Sequence, residues 1–326
     1  MARIFIDGFE SGGYEAWDAF SGVSISSSTK FTGAYALNVV GGGSSITKFV
    51  SSQNAYYIAF KHFNNTADSR AVVNFLEGAT VHIDVERYIN GSGTTIVVKR
   101  GGTTLAQGSI IKANQTWYLL EVYCLIDDSA GRVIVKVDGI VDIDYTGDTR
   151  NGGTSGVIDR INWGYRNGGP QTSCYIDDVV IDDANWIGNS GIAGLSPNGA
   201  GNSTQWDPST GANYACVDEV PPSDTDYVYT NVVDEVDTYA LSNLPSEAAV
   251  VKCVQVMARA RKEGASTPQN LNLAVRTTGG DAYSGDKALT TSFAGHSNLW
   301  ETNPGTASAW TVSEVNAMEA GIKAKT

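Results

Sequence analysis

Thr116-Trp117-Tyr118-Leu119-Leu120-Glu121-Val122-Tyr123-Cys124-Leu125-Ile126 runs into Asp127-Asp128-Ser129-Ala130-Gly131, and the chain returns as Arg132-Val133-Ile134-Val135-Lys136-Val137-Asp138-Gly139. Side chains of an extended strand alternate between two faces. Tyr118, Leu120, Val122, Cys124 and Ile126 therefore share one face, and Val133, Val135 and Val137 meet them from the returning strand. The polar Asp127–Gly131 stretch supplies the turn. Over the first three hundred residues helical periodicity is almost absent and period-two alternation recurs instead.

The same alternation continues outward. Tyr56–Phe63 reads as a strand, and so does Val81–Tyr88, with Val81, Ile83 and Val85 on its apolar face. Asn90-Gly91-Ser92-Gly93 turns the chain into Thr95–Arg100, and Gly101-Gly102 turns it again. Ile158–Gly164 and Cys174–Asp182 close the series. Strands adjacent in sequence with little helix between them imply antiparallel pairing.

At 326 residues the chain exceeds one ordinary hydrophobic core, so two domains are expected. The first covers residues 1–183. Residues 184–211 are rich in Gly, Ser, Asn and Pro and read as a linker, an ordered one given Trp186, Ile192 and Leu195. Residues 212–326 form the second, with strands at Tyr227–Tyr229, Thr238–Leu241, Ala249–Arg261 and Leu271–Arg276. Thr311-Val312-Ser313-Glu314 has capping-box spacing and opens a short helix to about Ala320. Gly321 is expected to stop that helix, with a final strand at Ile322–Ala324.

The order of a Trp117-led strand, a hairpin ending in Val137-Asp138-Gly139 and a closing Tyr175-Ile176-Asp177-Asp178-Val179 strand resembles the laminin-G-like, concanavalin-like jelly roll. Ile6-Asp7-Gly8-Phe9-Glu10 fits the same pattern, and the resemblance implies that the first strand pairs beside the last. Further on, Trp206-Asp207-Pro208-Ser209-Thr210-Gly211, Val217-Asp218-Glu219 and Ala309–Gly321 resemble a domain that recurs in tailed-bacteriophage structural proteins. This second resemblance implies a virion component.

Composition narrows the partners. Lys and Arg number 22 against 35 Asp and Glu, a formal net charge of -13. Nucleic-acid binding needs a basic face, so no nucleic-acid partner is expected. The amino terminus is too short in apolar residues and too early broken by Asp7 for a signal peptide. No run reaches membrane-helix length. Synthesis in a host cytoplasm and residence in the virion are the expectation. The sequons at Asn64, Asn90, Asn114 and Asn202 then carry no glycan. Cys124, Cys174, Cys216 and Cys253 have neither CxxC spacing nor nearby His, which argues against zinc and for reduced thiols.

Concanavalin-like glycosidases carry Glu-x-Asp-x-Glu on one strand, and His82-Ile83-Asp84-Val85-Glu86 has His82 where the nucleophile belongs. A retaining mechanism needs two carboxyls about 5–5.5 Å apart, so no catalytic residue is assigned and an exposed strand face of mixed charge is expected. His62, His82 and His296 lack a nucleophile motif, and the Gly41–Gly43 and Gly152-Gly153 runs read as turns rather than phosphate loops. Asp127-Asp128, Asp177-Asp178 and Asp182-Asp183 are compatible with a structural Ca²⁺ but lack EF-hand spacing, so no metal or other cofactor is assigned. Asp127-Asp128 reads as a solvated turn. Asp177 and Asp178, adjacent on one strand, are expected on opposite faces. Trp117, Leu119, Glu121 and Tyr123 share a face that would make a sugar platform; burial in the sandwich core is the simpler expectation, and no glycan-binding residue is fixed.

The expected protein is thus all-β: two antiparallel, jelly-roll-like sandwiches with one short helix near the C-terminus. Its expected role is a non-enzymatic structural component of a tailed-phage virion, in the tail or decorating the head. It would contact other virion proteins and form a homo-oligomer. The alternative is a carbohydrate-binding adhesin that contacts host surface glycans.

Overall fold

A computed structural model describes residues 3–65, 70–91, 93–152, 155–164, 173–265 and 268–326. The contact pattern divides the chain into two units, residues 1–10 with 17–192, and residues 11–16 with 193–326.

Among the described residues the first unit carries sixteen strands. In chain order they are β1 (Arg3–Asp7), β2 (Ala19–Ser21), β3 (Val23–Ser26), β4 (Ala36–Val40), β5 (Ser45–Gln53) and β6 (Ala55–Asn64). Next come β7 (Arg70–Glu77), β8 (Thr80–Asn90), β9 (Gly93–Arg100), β10 (Thr103–Gln107) and β11 (Lys112–Ala113). The series ends with β12 (Trp117–Leu125), β13 (Gly131–Val137), β14 (Ile140–Gly147), β15 (Ile158–Gly164) and β16 (Ser173–Asp182). They form two eight-stranded sheets. One is ordered β14-β13-β12-β6-β16-β4-β3, with β1 also on β16; the other is ordered β10-β9-β8-β7-β15-β5-β2, with β11 also on β9. The pairing of β1 with β16 is antiparallel, as expected of a first strand beside the last.

Facing residues confirm the alternation read from sequence. Tyr118, Leu120, Val122, Cys124, Val133, Val135 and Val137 are all buried, as are Ile83 and Val85 on the second sheet. Phe60 of the first sheet meets Trp163 of the second at 6.1 Å between ring centroids, edge to face. Each such aliphatic side chain removed from water contributes roughly 1.5–3 kcal/mol. The interior is not wholly apolar. Arg87 is fully buried and donates to the Asn64 side-chain oxygen. His62 is fully buried beside Phe60 and Tyr118, and neither of its ring nitrogens has a hydrogen-bond partner.

Asp138 and Gly139 close the β13–β14 hairpin, both with positive φ (51° and 82°). Such a two-residue loop matches strand twist and favours Asp-Gly. The side chain of Asp138 reaches across to β12, accepting the Leu119 N–H at 2.9 Å.

The second unit contributes β17 (Pro197–Thr204), β18 (Asp207–Pro208), β19 (Val228–Tyr229), β20 (Val236–Leu241), β21 (Val254–Ala260), β22 (Asn270–Thr277) and β23 (Gly280–Tyr283). It continues through β24 (Lys287–Ala288), β25 (Ala294–Trp300), β26 (Thr302–Asn303), β27 (Ser308–Ala309), α1 (Val312–Ala317) and β28 (Glu319–Lys325). One six-stranded sheet is ordered β17-β20-β28-β22-β23, with β24 on β22; the β21–β25 pair is separate. Val256 of that pair packs against Leu271, Leu273 and Val275 of the sheet, which makes the unit sandwich-like. Residues 197–204, within the stretch expected to link two domains, form its edge strand.

The capping box at Thr311 and Glu314 is present in both directions, but α1 ends at Ala317, with Met318 already extended. Gly321 is therefore not a helix stop. It sits in β28 opposite Thr238, where a Cβ would lie 2.1 Å from the Asp237 carbonyl oxygen.

Candidate functional site

The site lies on the outward face of the first sheet of the first unit. Antiparallel register places Trp117 opposite Phe63, Leu119 opposite Lys61, Glu121 opposite Ala59 and Tyr123 opposite Tyr57. On the other side of β6, Tyr175 stands opposite Phe63 and Asp177 opposite Lys61. Because the residues alternating with these, such as Tyr118, Leu120 and Val122 on β12 and Ile58 and Phe60 on β6, fill the core, this whole set faces away from it. The expectation that the Trp117 face belongs to the sandwich core is thereby corrected. Leu119 and Glu121 are buried, but by residues 183–192 crossing the outside of the sheet.

Those residues are pinned at successive points. Asp182 accepts the backbone N–H groups of Ala184 and Asn185 at 2.8 Å each. Trp186 sits edge-on to Tyr57, with the Lys136 ammonium 3.5 Å from its ring centroid. Ile187 packs on Ala59, Leu119 and Val180. Gly188, at φ 73° where only glycine is unstrained, donates its N–H to Glu121 at 2.8 Å. Lys61 donates to the Asn189 side-chain oxygen. Ile192 donates its N–H to Asp178 at 2.7 Å.

Between this crossing segment and the β13–β14 hairpin lies a cleft of about 260 Å³ lined by Phe31, Lys61, Trp117, Leu119, Glu121, Asp138 and Asn189, among others. Phe31 and Trp117 stand 5.8 Å apart between ring centroids, tilted at 60°. Phe31 is 43% exposed, while Trp117 is half-buried with Phe63 at 5.3 Å behind it. Lys61, only 3% exposed, holds its ammonium 4.5 Å from the Phe31 ring centroid. Burial pulls the Lys61 amine below its ordinary value, and the carboxylates of Asp178, Asp138, Glu121 and Asp177 pull it back up. At the rim, Lys112 pairs with Asp138 at 2.7 Å. The cleft thus offers two aromatic surfaces, an ammonium donor and two carboxylate acceptors.

Asp177 and Asp178 do not lie on opposite faces. The register of β16 against β6 shifts between Asp177 and Val180, and Asp178 has φ 50°, so a bulge turns both carboxylates toward one loop. Asp177 accepts the N–H groups of Phe31 and Thr32, and Asp178 accepts the Thr32 hydroxyl at 3.0 Å. The loop that carries Phe31 is positioned by this pair. Burial, then the charge of Asp178, pushes the Asp177 carboxyl up to about 8; burial pushes Asp178 up to about 6.

The remaining candidates separate. His82 is fully buried, which corrects the expectation of an exposed strand face; its Nε2 pairs with Glu77 at 3.2 Å and its Nδ1 accepts the Asn151 N–H. Asp84 accepts from Asn74, and Glu86 from Lys99, on the outward face of the second sheet. Asp127 closes its own turn, accepting the N–H groups of Ser129 and Ala130. His296 is half-buried in β25, and burial lowers its pKa, followed by Lys287. None of the four cysteines is in a disulfide. Among the described residues, no group of three or more His, Cys, Asp or Glu side chains is arranged to hold a metal ion, and no helix is long and apolar enough to cross a membrane.

No family model matches the chain, and no curated protein matches it. Among solved structures it is similar to the cellulose-induced protein Cip1, at 14% identity over 57% of this chain and 100% of that one, with a TM-score of 0.44. It is similar to the alginate lyase Aly36B in complex with an alginate tetrasaccharide, at 16% identity, 47% and 82% coverage, and a TM-score of 0.36. Domain 4 of AbnA, a GH43 extracellular arabinanase from Geobacillus stearothermophilus, in complex with arabinotriose, is similar at 14% identity, 55% and 90% coverage, and a TM-score of 0.39. The expectation that the chain is not an enzyme is withdrawn, since alginate lyases stand among these structures. At these scores the likeness assigns no substrate and no reaction.

Proposed function

We propose that the chain is a carbohydrate-binding β-sandwich protein and that the Phe31–Trp117 cleft holds a sugar ring. The observation that supports this reading is the pairing of the two aromatic rings, 5.8 Å apart, with Lys61, Glu121 and Asn189 at the floor of one cleft. Ligand sites combine an apolar wall with a few placed polar groups, usually in roughly 300–1,000 Å³. At about 260 Å³ this one suits a single ring of a longer chain. Aromatic faces pack on the C–H face of a pyranose, while the floor groups exchange hydrogen bonds with its hydroxyls.

A glycan array probed with the whole chain tests the proposal. Saturable binding that Trp117→Ala abolishes supports it; binding unchanged in that variant removes the cleft from consideration. The resemblance of residues 206–321 to phage structural domains supports a finer proposal, a host-glycan adhesin carried on a virion with other virion proteins as neighbours. Immunogold electron microscopy of purified particles tests that location.

A further inference from the structure

We infer that the ligand of this cleft is a neutral oligosaccharide and that sugars bearing carboxylates are excluded. The inference rests on the carbohydrate reading above and narrows it. A ligand carboxylate needs a cation that is free to pair with it, and the cleft's ammonium groups are engaged already. Lys61 donates to Asn189 and lies over the Phe31 ring. The carboxylates of Asp178, Asp138 and Glu121 act on its charge. Lys112 is paired with Asp138 at the rim.

No arginine lines the cleft among the described residues, so no fork of guanidinium donors is present for a uronate or sialate. An incoming anion would instead approach Glu121 and Asp138 in a partly desolvated space, where like charges repel more strongly than in water. The net charge of -13 adds long-range repulsion of any polyanion.

Hydroxyl groups meet no such obstacle. Each donates one hydrogen bond and accepts two. The Lys61 N–H groups not taken by Asn189 and the Asn189 amide N–H groups are donors, and the Glu121 and Asp138 oxygens keep lone pairs beyond those taken by Gly188, Leu119 and Lys112. A neutral hexose therefore matches both the rings and the polar floor without importing charge.

The test is isothermal titration of the whole chain at physiological ionic strength with two sets of probes. Cellohexaose, maltohexaose, mannohexaose and galactohexaose are neutral; tetragalacturonate, tetramannuronate and 3′-sialyllactose are acidic. At least one neutral probe is expected to saturate, and to weaken at least tenfold in Trp117→Ala and in Phe31→Ala. The second variant, at an exposed loop position, covers the case in which loss of Trp117 unfolds the sheet. Acidic probes are expected to bind at least tenfold more weakly than the best neutral one. An acidic probe that matches or exceeds the neutral set overturns this inference and leaves carbohydrate binding standing. No binding by either set overturns both.

Discussion

The Glu121 carboxylate accepts the backbone N–H of Gly188 at 2.8 Å, so a buried charge on β12 holds the segment that roofs its own strand. Hydrogen bonds to charged groups are worth about 1.5–3 kcal/mol. Glu121→Ala removes that acceptor and leaves the neighbouring Lys61 with one carboxylate fewer. The expected loss is about 2 kcal/mol in urea unfolding, together with faster amide exchange at residues 184–192. Glu121→Gln retains an oxygen for Gly188 and is expected to lose less. Equal losses in the two variants would show that the hydrogen bond is not what holds the segment.

Asp177 links stability to pH in a direction unusual for a carboxylate. Its folded value near 8 lies above its ordinary 3.8, so the native state binds the extra proton between those limits. Stability from this group is greatest below about 4 and falls as pH rises toward 8. Between pH 6.5 and 8 the loss is at most about 1.4 kcal/mol per pH unit for one proton. Unfolding free energy measured across that window is expected to decline more steeply in the natural protein than in Asp177→Asn. Parallel slopes would remove Asp177 as the cause.

Much of the first sandwich was legible in sequence because period-two alternation repeats over long strands, and a buried face leaves little freedom of register. The Trp117 face was visible for the same reason, although not what covers it. The cleft itself was not legible. Phe31 and Asn189 come from loops about 158 positions apart, and neither lies in a periodic stretch. Alternation also misplaced Asp178, because a bulge inserts a residue without any compositional mark in Ile176–Val179. Gly321 misled in the opposite way: glycine after a helix commonly caps it, whereas here the neighbouring backbone leaves no room for a side chain.

His62 carries a cost that sequence alone did not reveal. It is buried with neither ring nitrogen hydrogen-bonded, and burial, then Arg87, holds its pKa well below 6.5. An unsatisfied buried polar group costs about 1–3 kcal/mol. His62→Leu is expected to stabilise the protein by about 1 kcal/mol at pH 7. A depressed imidazole pKa also means stability is lost as pH falls below 6.5, through the folded value. The same variant should therefore resist acid unfolding better. A loss of stability greater than about 1 kcal/mol at pH 7 would indicate that His62 serves Arg87 or a bound water instead.

Gly321 offers a test of the second unit that needs no ligand. A Cβ there would stand 2.1 Å from the Asp237 carbonyl oxygen and 2.9 Å from the Thr238 Cα. Both are backbone atoms of the paired strand β20, so relief requires moving the strand rather than rotating a side chain. Gly321→Ala is expected to cost at least about 2 kcal/mol, in the range of overpacked buried sites. Gly285 is the control, since nothing lies within 4 Å of a Cβ built there. Gly285→Ala should be neutral, or stabilising by up to about 1 kcal/mol through the entropy of the unfolded chain. Denaturant midpoints of the two variants decide the matter. If both shift alike, the close approach of β28 to β20 is not what requires glycine at position 321.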